Sequence, residues 1–121
     1  MIYHISDTKG FQRLMATSRY LPEFFAQDGF VHCSFKEQII RTANRFFTSQ
    51  DHLLLFEIDE TTLINLLGIE NLEDGNELFP HIYGSIPIES ITKIAFFDKT
   101  KNGFEFPSIW YSPLNISNMV K

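Results

Sequence analysis

The strongest constraint on the fold is a helical apolar pattern that gives way, within a few residues, to a continuous apolar run. Residues 52–58 contain the run Leu53-Leu54-Leu55-Phe56, which is typical of a strand covered on both faces. The helical pattern precedes it over residues 35–47, where one stripe carries Ile39, Ile40, Ala43, Phe46 and Phe47. A chain of 121 residues with both patterns and no internal repeat predicts one domain of the α+β class.

Turn and capping residues predict the other elements. Helices are predicted over residues 8–16, 35–47 and 60–67, and strands over residues 1–6, 30–34, 52–58, 69–72, 79–84, 93–98 and 104–106. Asp7 and Asp59 are predicted N-caps, and Ser34 with Glu37 matches a capping box. Gly68 is predicted to close the third helix.

Three later features complete the predicted organisation. Residues 73–76 form a turn cluster, and Pro80 places its strand at a sheet edge or a bulge. Lys101-Asn102-Gly103 predicts a hairpin-type turn. The domain is expected to span residues 1–107, followed by a C-terminal extension over residues 108–121.

Composition narrows the function classes. The net charge of -5 weighs against general nucleic-acid binding, which needs a basic face. Cys33 is the single cysteine and cannot form an internal disulfide, which fits a reducing cytosol. No run approaches the roughly twenty apolar residues of a membrane span, and no basic leader precedes the first strand. We therefore expect a cytoplasmic protein with no membrane partner.

Three of the four histidines lie in short, strand-like apolar runs: His4, His32 and His81. Histidine changes charge nearest neutral pH, so side chains of this type are favoured where protons or anions are handled. We predict that the three converge in one cleft. The alternative for each is a core histidine whose ring is satisfied by backbone groups.

Strand alternation assigns faces to the neighbours of these histidines. His32 and Ser34 share one face, and Cys33 points to the other, where it is predicted to be buried and unreactive. His81 and Tyr83 likewise share a face.

Metal and phosphate motifs are weak. Three histidines can bind zinc, but no two of them have the short spacing of a metal motif, so no metal is expected. Glycine-rich phosphate loops are absent from the sequence, so phosphate recognition would fall to Arg41 and Arg45, one helical turn apart, or to a helix N-terminus near Lys36. The alternative for the arginines is a solvated helix surface.

Several motifs occur together in a specific order. They are Tyr3-His4, residues 29–34, Gln38 with residues 43–47, residues 55–59, residues 79–84, Gly103-Phe104 and Pro107. This pattern resembles the small bacterial family catalogued as domain of unknown function 952, over about residues 1–107. That family is grouped with the ADP-ribosyltransferase-like fold, which includes NAD-consuming transferases and RNA 2′-phosphotransferases.

The resemblance implies a split, strongly bent, mixed β-sheet with flanking helices and a nucleotide cleft between its halves. It also implies a site with a histidine on the first strand, a hydroxyl residue on a middle strand and a late glutamate. His4 matches the first position and Ser34 the second. His81 and Tyr83 stand where the glutamate is expected, and Glu70 and Glu77 are the two nearby candidates for it.

Three functions remain open. The first is a transferase that uses an NAD- or ADP-ribose-type nucleotide, with His4, Ser34 and His81 catalytic and with ligand contacts from His32, Gln38, Arg41, Arg45 and Tyr83. The second is a non-catalytic nucleotide- or phosphate-binding module. The third is a protein-interaction domain that uses exposed aromatics such as Phe24, Phe25 and Trp110.

Overall fold

The computed structural model describes residues 1–71 and 75–120. The strands are β1 (Ile2–Ser6), β2 (Arg19–Tyr20), β3 (Val31–His32), β4 (Leu54–Ile58), β5 (Leu67–Glu70), β6 (Phe79–Ile82), β7 (Ile86–Pro87) and β8 (Ile91–Phe96). The helices are α1 (Thr8–Thr17), α2 (Phe25–Asp28), α3 (Lys36–Phe46) and α4 (Pro113–Ser117), with 3₁₀ turns over Glu60–Leu63 and Ile88–Ser90. No helix among the described residues has the length and apolar character needed to cross a membrane.

The strands form three sheets, in the orders β1-β4-β8, β2-β7 and β3-β6-β5. A pair of backbone hydrogen bonds of 2.8 Å between Tyr3 and Ser34 joins β1 to the segment after β3. The α+β class is therefore confirmed, but each described ladder is antiparallel, and the expected mixed sheet is wrong. The reason is that α1, α2 and α3 each connect strands of different sheets, so no helical crossover joins parallel neighbours.

Strand β4 lies between two core clusters. Leu54, Phe56 and Ile58 belong to the first cluster, and Leu55 belongs to the second, so the predicted burial of both faces is confirmed. Helix α3 packs its apolar stripe on the second cluster, but Phe46 is 57% exposed at the helix end. The predicted stripe is thus one residue too wide.

The predicted N-cap of α1 is confirmed, whereas the predicted N-cap of α3 is wrong. Asp7 caps α1 as predicted, accepting a hydrogen bond of 2.7 Å from the Gly10 amide. Ser34 does not cap α3, because its backbone is held in the bridge to Tyr3. The N-cap is Phe35, whose amide donates to Gln38 Oε1 at 2.9 Å, so Gln38 rather than Glu37 closes the first turn.

The predicted helix over residues 60–67 is wrong beyond its first turn. Asp59 accepts from the Thr61 amide as an N-cap, but the 3₁₀ turn ends at Leu63. Leu67 and Gly68 belong instead to β5, where pairing with β6 replaces helical hydrogen bonds. Leu72, Glu73 and Asp74, from the predicted strand and turn, lie outside the described residues.

Pro80 lies in a central strand, so the predicted edge position is wrong. Its carbonyl accepts a 3.1 Å hydrogen bond from the Cys33 amide. The N–H and C=O of one residue point to the same neighbour in an antiparallel ladder, so the amide hydrogen that proline lacks would also point toward Cys33. Proline fits here because β3 ends one residue earlier, at His32.

The last residues pack against the domain. The predicted turn is confirmed by the bridge between Thr100 and Gly103, but residues 104–106 form no strand because the Phe104 amide donates to Asn44 Oδ1 at 2.9 Å. Tyr111 exchanges two backbone hydrogen bonds of 2.8 and 2.9 Å with Ile94. Ile116 of α4 is fully buried in the first core cluster.

Candidate functional site

A cleft of about 580 Å³ opens beside β1, the ends of β3 and β6, and one side of α3. Its lining includes His4, His32, Ser34, His81, Arg41 and Arg45. The three strand histidines thus reach one cleft together with the predicted serine and arginines. Gln38 and Tyr83 do not line it, although both contact residues around it.

His4 is buried, and both of its ring nitrogens are used inside the protein. Nδ1 lies 2.6 Å from the carbonyl oxygen of His32, which can only accept, so Nδ1 carries the hydrogen. Nε2 therefore accepts, and the Tyr20 hydroxyl donates to it at 2.6 Å. Burial lowers the pKa of His4 to about 4, so the ring is neutral at physiological pH.

Tyr20 contacts the His4 ring at Nε2, on the side opposite His32. No nearby sequence feature predicts this contact. Its ring packs edge-on against both His4 and Phe56, at centroid distances of 4.9 and 5.1 Å. Burial also raises the pKa of Tyr20, which keeps the hydroxyl hydrogen available for the bond. Gly10 makes room for the Tyr20 ring, because a Cβ at residue 10 would lie 2.9 Å from that ring.

Cys33 is 4% exposed in the first core cluster, as strand alternation predicts. Burial raises the pKa of its thiol, so the thiolate that reactive cysteines need is disfavoured.

His81 lies directly opposite His32 in the ladder between β3 and β6. The ring centroids of the two histidines are 5.8 Å apart, and Phe30 stacks on His81 at 4.2 Å. His32 is exposed, with Nε2 at 3.1 Å from Asp28 Oδ2. The two rings therefore share one face of the sheet but differ in burial, since His81 is only 1% exposed.

Glu70 connects two of the late site candidates. Its Oε1 lies 3.1 Å from His81 Nδ1 and also accepts from the Tyr83 hydroxyl. The hydrogen bonds from Tyr83 and His81 lower the pKa of the carboxyl, so Glu70 is a carboxylate and His81 Nδ1 must donate. Gly68 makes room, because a Cβ there would lie 2.8 Å from Glu70 Oε1.

Two polar side chains, each more than nine-tenths buried, open onto the cleft. Ser34 is 4% exposed and His81 1%, and neither Ser34 Oγ nor His81 Nε2 has a hydrogen-bond partner among the described residues. No side-chain nitrogen or oxygen in residues 1–71 and 75–120 is both buried and unpartnered. Both atoms are therefore accessible, and the cleft is the space that these residues line.

The arginine side chains that line the cleft have different partners. Arg41 Nη2 donates to both carboxylate oxygens of Glu77, and Gln38 Nε2 donates to the same carboxylate at 3.3 Å. Arg45 stacks over Phe46 at 5.0 Å, and Arg13 donates to a backbone carbonyl at 3.5 Å. Within residues 1–71 and 75–120, neither Arg45 nor Arg13 pairs with a carboxylate, so both can take a ligand anion. Arg13, on α1, is not among the predicted ligand contacts, but it lines the cleft beside them.

The aromatic residues considered for protein binding lie apart. Phe24 is 62% exposed and lines the cleft, whereas Phe25 packs on the first core cluster. Trp110 packs beside Tyr3 at a centroid distance of 6.2 Å, and its ring NH donates to the Pro107 carbonyl. These three residues therefore do not form one exposed apolar patch.

Comparison with known proteins identifies relatives. The family model for DUF952, protein of unknown function, matches residues 5–94. The crystal structure of protein CC0527 from Caulobacter crescentus is similar to this chain at 29% identity and a TM-score of 0.77, covering 85% of this chain and 90% of that one. The solution NMR structure of CC0527 gives 29% identity and a TM-score of 0.74, covering 85% and 89%. Curated proteins give no match. The chain belongs to the DUF952 family, whose function is unknown.

Proposed function

We propose that the cleft binds a phosphorylated nucleoside of the NAD or ADP-ribose type, in the manner of the ADP-ribosyltransferase-like fold. One observation carries this proposal: Ser34 Oγ and His81 Nε2 both open into a cleft that also holds arginines without carboxylate partners. Hydroxyl and imidazole groups suit a ribose, and guanidinium groups suit a phosphate. A volume of about 580 Å³ is in the range of small-molecule sites.

The residues of the cleft fit the parts of such a ligand. Arg45 and Arg13 would hold the phosphates, and Phe24 and Phe46 at the mouth would contact a base. Ser34 would contact ribose. His4 borders the cleft, but both of its ring nitrogens are used to hold Tyr20 and the backbone of His32. NAD, when bound, would supply an N-glycosidic bond that breaks with nicotinamide leaving as a neutral group.

Transferase chemistry is the second candidate, and the position of Glu77 favours it. Of the two late glutamates, Glu77 lines the cleft, whereas Glu70 lies behind His81. Arg41 and Gln38 fix the Glu77 carboxylate in place. That carboxylate would place negative charge near the ribose, where positive charge develops during transfer. Release of nicotinamide from NAD, abolished in Glu77→Gln and retained in Glu105→Gln, would distinguish catalysis from binding alone.

Calorimetric titration with ADP-ribose and adenosine tests the binding proposal. We expect Arg45→Gln to weaken ADP-ribose binding by about 10- to 100-fold, the usual effect of losing a hydrogen bond to a charged group. Adenosine has no phosphate, so its affinity should not change in this variant. Lys101→Gln removes an exposed cation outside the cleft and should leave both affinities unchanged. Absence of binding by ADP-ribose, NAD and AMP at millimolar concentration would contradict the proposal.

A further inference from the structure

We infer that His81 contacts a hydroxyl group of the ligand through Nε2, and that Glu70, Tyr83 and Gly68 are positioning residues that hold this ring. The inference rests on the proposed function and deepens it, because it specifies which group of the ligand sits at this end of the cleft.

The hydrogen-bonding character of Nε2 follows from its partner on the other side of the ring. Since the Glu70 carboxylate can only accept, His81 Nδ1 donates, and a neutral ring then presents a lone pair at Nε2. A lone pair attracts a hydroxyl hydrogen and repels an ionised phosphate oxygen. The ligand group at Nε2 is therefore a hydrogen donor, and the phosphate belongs near Arg45.

The ring of His81 is fixed by two contacts, and Tyr83 supports one of them. Phe30 stacks on one face at 4.2 Å with an interplanar angle of 31°, and Glu70 holds Nδ1. The hydroxyl of the exposed Tyr83 donates to the same oxygen of Glu70, Oε1. A site group held by packing and by supporting hydrogen bonds is preorganised, so it loses little freedom when a ligand arrives.

Gly68 shows that this support has a steric requirement. A Cβ at Gly68 would lie 2.8 Å from Glu70 Oε1 and 3.0 Å from the Tyr83 ring. Gly68 pairs with His81 across the ladder, so its missing side chain leaves space for the carboxylate on the His81 side. Any larger residue there would displace the group that sets the hydrogen on His81.

Ser34 adds a second polar group at the same end of the cleft. Ser34 follows His32 by two residues and shares its face, and His32 pairs with His81 across the ladder. Ser34 and His81 both line the cleft, so a ligand at this end can meet a hydroxyl and an imidazole together. This pair of groups favours the hydroxyls of a sugar.

The test compares AMP with 2′-deoxy-AMP and 3′-deoxy-AMP by calorimetric titration. In the unmodified protein we expect one of the two deoxy probes to bind about tenfold more weakly than AMP, because Nε2 loses its donor. This discrimination should fall to about twofold or less in Glu70→Gln and Gly68→Ala, and should decrease in Tyr83→Phe. Tyr111→Phe, which alters a tyrosine outside the cleft, is the matched control and should retain it.

A second measurement separates positioning from a purely structural role. Nitrogen-15 spectra of the histidine rings should show the Nδ1–H form of His81, and AMP should shift its Nε2 signal while the exposed His52 signal stays in place. If AMP binds with no Nε2 shift and no deoxy discrimination, the inference is overturned and the proposed function stands. If neither AMP nor ADP-ribose binds, both fall together.

Discussion

Two buried histidines border the same cleft, and they differ in how many of their ring nitrogens the protein itself uses. His4, on β1, is 7% exposed and has partners on both nitrogens. His81, on β6, is 1% exposed and has a partner on Nδ1 alone. Burial therefore does not separate these two histidines. The number of satisfied ring nitrogens does separate them.

The two histidine rings also have different electrostatic surroundings. His4 is packed among Tyr20 and Phe56, and its partners are a carbonyl and a hydroxyl, both neutral. His81 has a carboxylate partner that is itself partly exposed. A neutral environment keeps His4 in one uncharged form, whereas the carboxylate of Glu70 orients the His81 ring.

The largest expected effect is on folding. His4→Ala should lower the free energy of unfolding by about 3–5 kcal/mol, because it leaves a cavity and two unpaired groups, the Tyr20 hydroxyl and the His32 carbonyl. His81→Ala should cost less, roughly 1–3 kcal/mol, because its buried ring also leaves a cavity but only one hydrogen bond, to a partly exposed carboxylate, is lost. Denaturant titration of both variants measures this, with the exposed His52→Asn as control. An equal or larger loss for His81→Ala would break the comparison.

The second effect concerns pH. Burial lowers the pKa of His4 from 6.5 in the unfolded chain to about 4 in the fold. The unfolded state therefore binds more protons between these values, so stability is complete above pH 6.5 and falls as the pH drops toward 4. A shift of this size corresponds to about 3 kcal/mol.

The variant His4→Gln tests whether His4 causes this loss of stability at low pH. Glutamine has one donor and one acceptor group for the two hydrogen bonds, and it does not titrate. Unfolding free energies measured from pH 7 to pH 4 should fall less in His4→Gln than in the unmodified protein, by about 3 kcal/mol. Parallel curves for the two proteins would show that His4 does not titrate with a lowered pKa.

A smaller effect is expected at Cys33, which is buried in the first core cluster. Cys33→Ser should cost about 1–3 kcal/mol, because a hydroxyl enters an apolar site without a partner. Cys33→Ala should leave ligand binding intact. Cys33 borders the cleft but is 4% exposed, so the native protein should react slowly with iodoacetamide. Fast labelling with loss of ADP-ribose binding would show that this thiol is reactive and close to the ligand.

Treatment that removes metal ions is expected to have no effect on stability. The described residues contain no group of three or more histidine, cysteine or acidic side chains arranged to hold an ion. Treatment with EDTA should therefore leave the melting temperature unchanged. Stoichiometric zinc by elemental analysis, lost on EDTA treatment together with stability, would contradict this prediction. Zinc bound at His81 Nε2 would also remove the contrast with His4.

Local signals predicted much of the fold. The cap at Asp7, the stripe of α3 and the apolar run of β4 depend on residues close in sequence, and the structure agrees with them except at Phe46. Gly68 shows the limit of such signals. A glycine that ends a helix and a glycine that leaves room for a neighbouring carboxylate have the same local sequence, and only the pairing of β5 with β6 distinguishes them.

His4 and His81 have the same predicted catalytic role, although their contacts in the structure differ. Strand alternation placed Ser34 and His32 on one face and Cys33 on the other, because that pattern has a period of two. The role of His4 depends on Tyr20, sixteen residues away, and on a backbone carbonyl. Contacts of this kind leave no periodic trace in the sequence, so the histidine motif alone could not separate His4 from His81.

The bridge between Tyr111 and Ile94 has a consequence for association between copies of the chain. Strand β8 ends its sheet, and an uncovered terminal strand offers unpaired amides and carbonyls to any other chain. Tyr111 occupies two of these groups at Ile94, and α4 anchors the segment by burying Ile116. The family match stops at residue 94, so the segment that closes this edge lies outside the matched region. Protection from edge-to-edge aggregation is thus supplied by the C-terminal residues rather than by the matched domain.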